Sequence, residues 1–184
     1  MSLQGWQETL ITAQGDGSVL TAAAAASCLP PAAKFTLPAN FFSAVGKAVR
    51  ITAAGRISCA VTTPGTARYD VRFGGTVVFD SLAMNLNIVA KTNVHWVLEL
   101  LLTCRAIGTS ANLMGQGTWR SEAVIASPLS TAGGSGEFMI PYNTAPVVGT
   151  NFDSTASQVV DLFFTQTVAT GSMTLHQYVL ESLN

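Results

Sequence analysis

The chain has few residues of the kinds that do chemistry. Among 184 residues there are two histidines, three cysteines and ten acids. His95 and His176 each fall in an alternating segment, where a structural histidine is the default reading. Cys28, Cys59 and Cys104 lie far apart, with no C-x-x-C or Cys/His spacing, so no zinc site is expected. Cys104 and His95 share one predicted strand. Nine residues at ~3.3 Å each would hold them about 30 Å apart, too far for a nucleophile and its base. Gly133-Gly134-Ser135-Gly136 is followed by Glu137 and does not form the G-x-S-x-G elbow of a serine hydrolase. Glu99 and Asp161 are the one couple of acids embedded in apolar runs. Two carboxylates across a cleft are what glycoside hydrolysis requires. No nucleotide loop or calcium loop is present, and neither an enzyme nor a cofactor is expected.

Glu99 has a simpler reading, as a salt-bridged acid on the half-exposed face of a long strand. A sharper one pairs it, buried, with Arg105, Arg50 or Arg72 at a subunit contact. Buried ion pairs of that kind set register and partner more than stability. Trp6, Glu99, Arg105 and Trp119 are the residues expected at interfaces.

Composition narrows the class. Charged residues are 10% of the chain, against ~25% in a typical globular domain. The surface must draw on Thr, Ser, Asn, Gln and Gly, or be covered by partners. A net charge of -1 and the absence of a basic cluster argue against nucleic acid. The first ten residues have neither the basic nor the apolar region of a secretory signal.

The elements that would position these residues are strands. The longest apolar run is 93–108, NVHWVLELLLTCRAIG, too short and interrupted for a membrane span. Its Asn and Gly flanks favour a central strand, with both faces covered. Residues 47–53 and 56–62 alternate on either side of a turn at Ala54-Gly55, with Val49, Ile51, Ala53, Ile57, Cys59 and Val61 inward. Residues 67–73 point Tyr69, Val71 and Phe73 inward, with Arg68, Asp70 and Arg72 outward. Residues 112–125 form the hairpin partner of the long run. There Gly115 and Gly117 mark a bulge or close approach, and Trp119, Ala123 and Ile125 are candidates for burial. Residues 127–136 are a loop, 138–148 a Pro-punctuated stretch, and 158–168 a second buried strand. Residues 173–183 alternate, with Met173, Leu175, Gln177, Val179 and Glu181 on one face.

Eight to ten antiparallel strands without a helix predict an all-β sandwich of the jelly-roll kind. An up-and-down barrel is the alternative. Residues 1–34 are read as an N-terminal arm and irregular segment, and 35–184 as one β-sandwich domain. Trp6 anchors the arm, either on its own domain or on a neighbouring subunit.

The strand HWVLELLLTCRAIG, the later GTWRSE and the earlier LPANFFSAVGKAVRITAAGRIS resemble the jelly-roll structural proteins of tailed bacteriophages, over about Leu37 to Ile125. That resemblance implies a tumour-necrosis-factor-like jelly roll, trimers and a place in the virion, assembled in the host cytoplasm. It carries over no functional residues. The function expected is that of a capsid decoration, or cement, protein: a homotrimer on the outer head surface, bound to the major capsid protein, with no nucleic acid and no membrane as partner. The alternative is a tail-fibre or spike head domain binding a cell-surface glycan through Tyr142, Phe152 or Trp119. An RNA-enclosing shell would want a basic arm, and a cupin enzyme a histidine cluster.

Overall fold

The structure is a computed structural model that describes residues 7–123 and 136–183. Twelve strands occur among them: β1 (Gln7–Thr12), β2 (Ala26–Ser27), β3 (Phe35–Leu37), β4 (Ala48–Cys59), β5 (Thr66–Phe73), β6 (Thr76–Asp80), β7 (Met84–Asn85), β8 (Lys91–Ala106), β9 (Asn112–Ser121), β10 (Gly136–Ile140), β11 (Gln158–Gln166) and β12 (Ser172–Leu183). The one helical turn described is the 3-10 turn Pro31–Ala33. Sheet A runs β1-β12-β4-β8-β9-β10 and sheet B runs β2-β11-β5-β6, with β3 also on β11 and β7 on β5. Every pair is antiparallel. The protein is an all-β sandwich. Leaving out β2, β7, β9 and β10, the remaining eight strands in chain order lie first-eighth-third-sixth in sheet A and, with β3 on β11, second-seventh-fourth-fifth in sheet B.

The core fills the space between the sheets with one face of each strand. Trp96, Leu98, Leu100, Leu102 and Cys104 point in from β8; Tyr69, Val71 and Phe73 from β5; Leu162 and Phe164 from β11. The Tyr69 ring lies 5.4 Å from Trp96 and 5.2 Å from both Trp119 and Phe164, centroid to centroid. Such tilted contacts suit the ring quadrupoles. The long run 93–108 is central, as expected, but only one of its faces is covered. Glu99 and Leu101 point outward and are exposed. Each strand of a two-layer sandwich has a single inner face, so alternation, not continuous burial, is what β8 shows.

Three strand assignments differ from expectation. Ala54-Gly55 is not a turn: β4 runs unbroken through it, and the inward parity of Val49, Ile51, Ala53, Ile57 and Cys59 never shifts. Gly55 is needed because a Cβ there would lie 2.0 Å from the Thr174 carbonyl oxygen. Val61, expected inside, lies beyond the strand end and is 59% exposed. In β12 a bulge between Leu175 and Gln177 switches the phase. Met173 and Leu175 are buried before it, and Tyr178 and Leu180 after it, so Gln177, Val179 and Glu181 do not share their face.

From residue 7 onward the segment read as an arm is laid into the fold. β1 pairs with β12 at the edge of sheet A. Leu20 bridges Met173, and Cys28, Leu29 and Ala33 belong to the core. Trp6 and Ile125 lie outside the described residues, as does most of the loop 127–136.

Candidate functional site

The polar residues singled out in the sequence do not converge. Glu99 is on the outer face of sheet A, and Asp161 on the outer face of sheet B, with the core between them. No cleft separates that pair, which excludes the two-carboxylate arrangement. Glu99 accepts a hydrogen bond from Arg120 at 3.0 Å, and both side chains are about half exposed. This is the simpler reading of Glu99; within the chain its partner is Arg120, not Arg105, Arg50 or Arg72. Arg50 lies 3.7 Å from Glu181, and Arg72 binds Asp70. Arg105 points outward from β8, exposed. Trp119 is fully buried against Tyr69 and is no interface residue. The alternation of β9 turns it inward, and its size makes burial favourable. His95 is exposed, whereas Cys104 faces the core from the opposite side of the same strand. His176, at the bulge, lies 2.8 Å from Asp16. Among the described residues no three His, Cys, Asp or Glu side chains come together.

Asp161 is structural. It accepts a hydrogen bond from the Ser27 hydroxyl and pairs with Lys34, both at 2.6 Å. The pair ties the segment before β3 to sheet B. Burial pushes the Cys28 thiol up, and the neighbouring Asp161 adds to this. The Cys28 thiol donates to the Leu162 carbonyl oxygen. Burial likewise raises Tyr69 and Tyr178 well above the ordinary phenol range.

What the fold does build is an apolar recess of about 210 Å³ where β6, β9 and β10 meet. Its lining includes Phe79, Leu82, Gly115, Pro141, Val147 and Val148. Gly115 lets the Phe79 and Leu102 side chains pack directly on β9: a Cβ would lie 2.2 Å from Phe79 Cδ2 and 2.8 Å from Leu102 Cδ2. The close approach expected at Gly115 and Gly117 is therefore present. β10 covers Gly117 to Ser121 of β9, while Val148 and Phe152 bridge Met114 and Ala111 on the remaining length. The Tyr142 amide donates to the Ser81 carbonyl oxygen at 2.8 Å and ties the turn after β10 to the end of β6.

The rim is apolar and held in place. Leu82 has φ 61°, the left-handed region that a leucine rarely enters. The Asp80 carboxylate holds it there by accepting the Leu82 amide hydrogen at 2.8 Å. Leu82, Val147 and Val148 are exposed, and Met139, outward on the edge strand β10, is 72% exposed. Such a conformation at a leucine beside an apolar opening makes this corner a candidate for function. The sequence reading missed this site. Its one signal was that no charged residue occurs between Glu137 and Asp153 or between Asp80 and Lys91.

Of the aromatics considered for glycan contact, Phe152 and Trp119 are in the core. Tyr142 is partly buried, its ring 4.5 Å from that of Phe138. No helix among the described residues is long and apolar enough to cross a membrane.

No family model and no curated protein matches this chain. Among solved structures, it is similar to the CBM2 module of the evolved Dit of Lactobacillus casei BL23 phage J-1. The TM-score is 0.39 and the identity 10%, over 99% of this chain and 98% of that one. No residue correspondence is drawn from a likeness at that level.

Proposed function

We propose that this chain is a structural virion protein without catalytic activity, a capsid decoration or cement protein that sits as a homotrimer on the outside of a phage head. The observation that carries the reading is the exposed apolar rim of Leu82, Val147 and Val148 around the recess, with Met139 beside it and the Asp80 carboxylate and Thr144 in its lining. Exposed apolar surface rimmed by polar residues marks sites that partners cover. Two features support the class. A jelly roll is wound first-eighth-third-sixth and second-seventh-fourth-fifth, an order these strands follow once β2, β7, β9 and β10 are left out. The resemblance of Leu37 to Ile125 to phage jelly-roll proteins points the same way. Its work is then contact area with its own copies and with the major capsid protein; an interface of standard size buries ~1,600 Å². The glycan-binding alternative is left with one half-buried aromatic of its three.

The test is to add purified protein to phage heads that lack it. Sedimentation with the heads, and a higher temperature of head rupture, are expected. Heads that neither bind the protein nor gain heat resistance would refute the reading.

A further inference from the structure

Three features could take a partner: the groove on the outer face of sheet A, the charged ladder on sheet B and the recess. The groove beside Arg50, Glu99 and Leu101 is shallow, and its charged residues are already paired, Glu99 with Arg120 and Arg50 with Glu181. The ladder of Asp161, Arg72, Asp70, Arg68 and Asp80 is likewise satisfied within the chain. The recess is lined mostly by apolar residues.

We infer that the recess receives Trp6 of a neighbouring copy, so that the N-terminal segment of each subunit clasps the next. This rests on the self-assembly part of the proposed function and names the contact. Size comes first. At about 210 Å³ the recess is below the ~300–1,000 Å³ of small-molecule pockets, and suits one large side chain. The chain has three tryptophans, and Trp96 and Trp119 are in the core. Trp6 is the third, and tryptophan anchors are enriched at the centres of interfaces.

Reach then decides which copy. Trp6 adjoins Gln7, the first residue of β1, at one edge of sheet A. Gly115, in the recess, is on β9, four strands across. Four spacings of ~4.8 Å make roughly 19 Å, whereas one residue step is about 3.8 Å. Trp6 cannot fill the recess of its own chain.

The donor edge and the acceptor corner are different surfaces of one molecule. Contact between them is head to tail, and such contacts close into a ring when the rotation allows. A trimer is the smallest ring of the kind expected.

The experiment is light scattering of the full chain, of Trp6→Ala and of Val148→Arg, each alone and then mixed one to one. Val148 is on the exposed rim, so its substitution leaves the core intact. Each variant alone is expected to associate at least ~30-fold more weakly than the parent. Trp6→Ala keeps a working recess and Val148→Arg keeps a working tryptophan. Their mixture is therefore expected to form dimers that grow no further. A Trp6→Ala chain with the mass of the parent overturns the inference and leaves the trimer reading standing. So does a mixture in which both variants stay monomeric. A parent chain that is monomeric at every concentration overturns the inference together with self-assembly, while the head-binding test still judges the virion reading.

Discussion

At the residue scale, buried acids of high pKa set how this protein responds to alkali. Cys28, Tyr69 and Tyr178 are held protonated by burial. Unfolding releases them to ordinary values, about 8.5 for a thiol and about 10 for a phenol. Above those values the unfolded state binds fewer protons than the folded one, so stability falls as pH rises. The full contribution is present below about pH 8 and is lost upward, with a slope of up to about 1.4 kcal/mol per pH unit for each group. Urea midpoints at about pH 7, 9 and 10.5 should fall in that order, most steeply in the last interval. The same burial keeps Cys28 from reacting with iodoacetamide until denaturant is added, which mass spectrometry would read. Asp161 makes a second case. Asp161→Ala strands the Lys34 charge and the Ser27 hydroxyl in a partly buried place. A loss of about 2–3 kcal/mol in the urea titration is expected, and Asp161→Asn should lose less because it keeps an acceptor for Ser27.

At the scale of elements, β4 and β12 show how close packing of backbones chooses residue types. Gly55 lies where β12 approaches too near for a side chain. Gly55→Val should therefore cost several kcal/mol, of the order of an overpacked core or more, seen as a fall in melting temperature without a shift of the strand signal in circular dichroism of the folded form. The bulge at His176 is a second such device. It lets β12 present Leu175 and Tyr178 to one core, although they are three residues apart. At the front of the chain, β1 and the core residues Cys28, Leu29 and Ala33 make residues 7–34 part of the sandwich. Removing 1–34 uncovers β12 and opens the core, so that variant should be insoluble or molten. Removing only 1–6 leaves β1 and the core residues of the segment in place, so that variant should stay soluble and folded.

At the scale of the molecule, the surface is poor in charge because charged residues are only 10% of the chain, and many of them are paired with one another. Arg68 pairs with Asp80, Arg72 with Asp70, Lys34 with Asp161 and Arg120 with Glu99. What is left outward includes Leu101, Met139, Val147, Val148 and Val159. A free chain with such a surface should associate as concentration rises, and do so little changed by salt, because apolar contact rather than ion pairing drives it. Sedimentation velocity at about 0.05 and 0.5 M sodium chloride should give the same distribution. A strong loss of association at high salt would point instead to the Arg and Glu pairs of sheet A.

Alternation by itself determined the class of this protein. Inward Tyr69, Val71 and Phe73, or Val49 through Cys59, announce themselves by period two, because a strand in a two-layer sandwich has one wet face and one dry one. The simple reading of Glu99 was legible for the same reason. Only the tertiary structure decided the rest. A glycine written into a strand looks like a turn until the neighbouring carbonyl of Thr174 is in view. A bulge shifts the phase of β12 without any residue type that marks it. Trp119 looked available because a tryptophan can serve a core or an interface equally well, and only the register with β8 turned it inward. The recess has no local pattern at all. It is assembled from Leu82, Gly115 and Val148, residues far apart in the chain, and long-range pairing of β9 with its two neighbours is what brings them together.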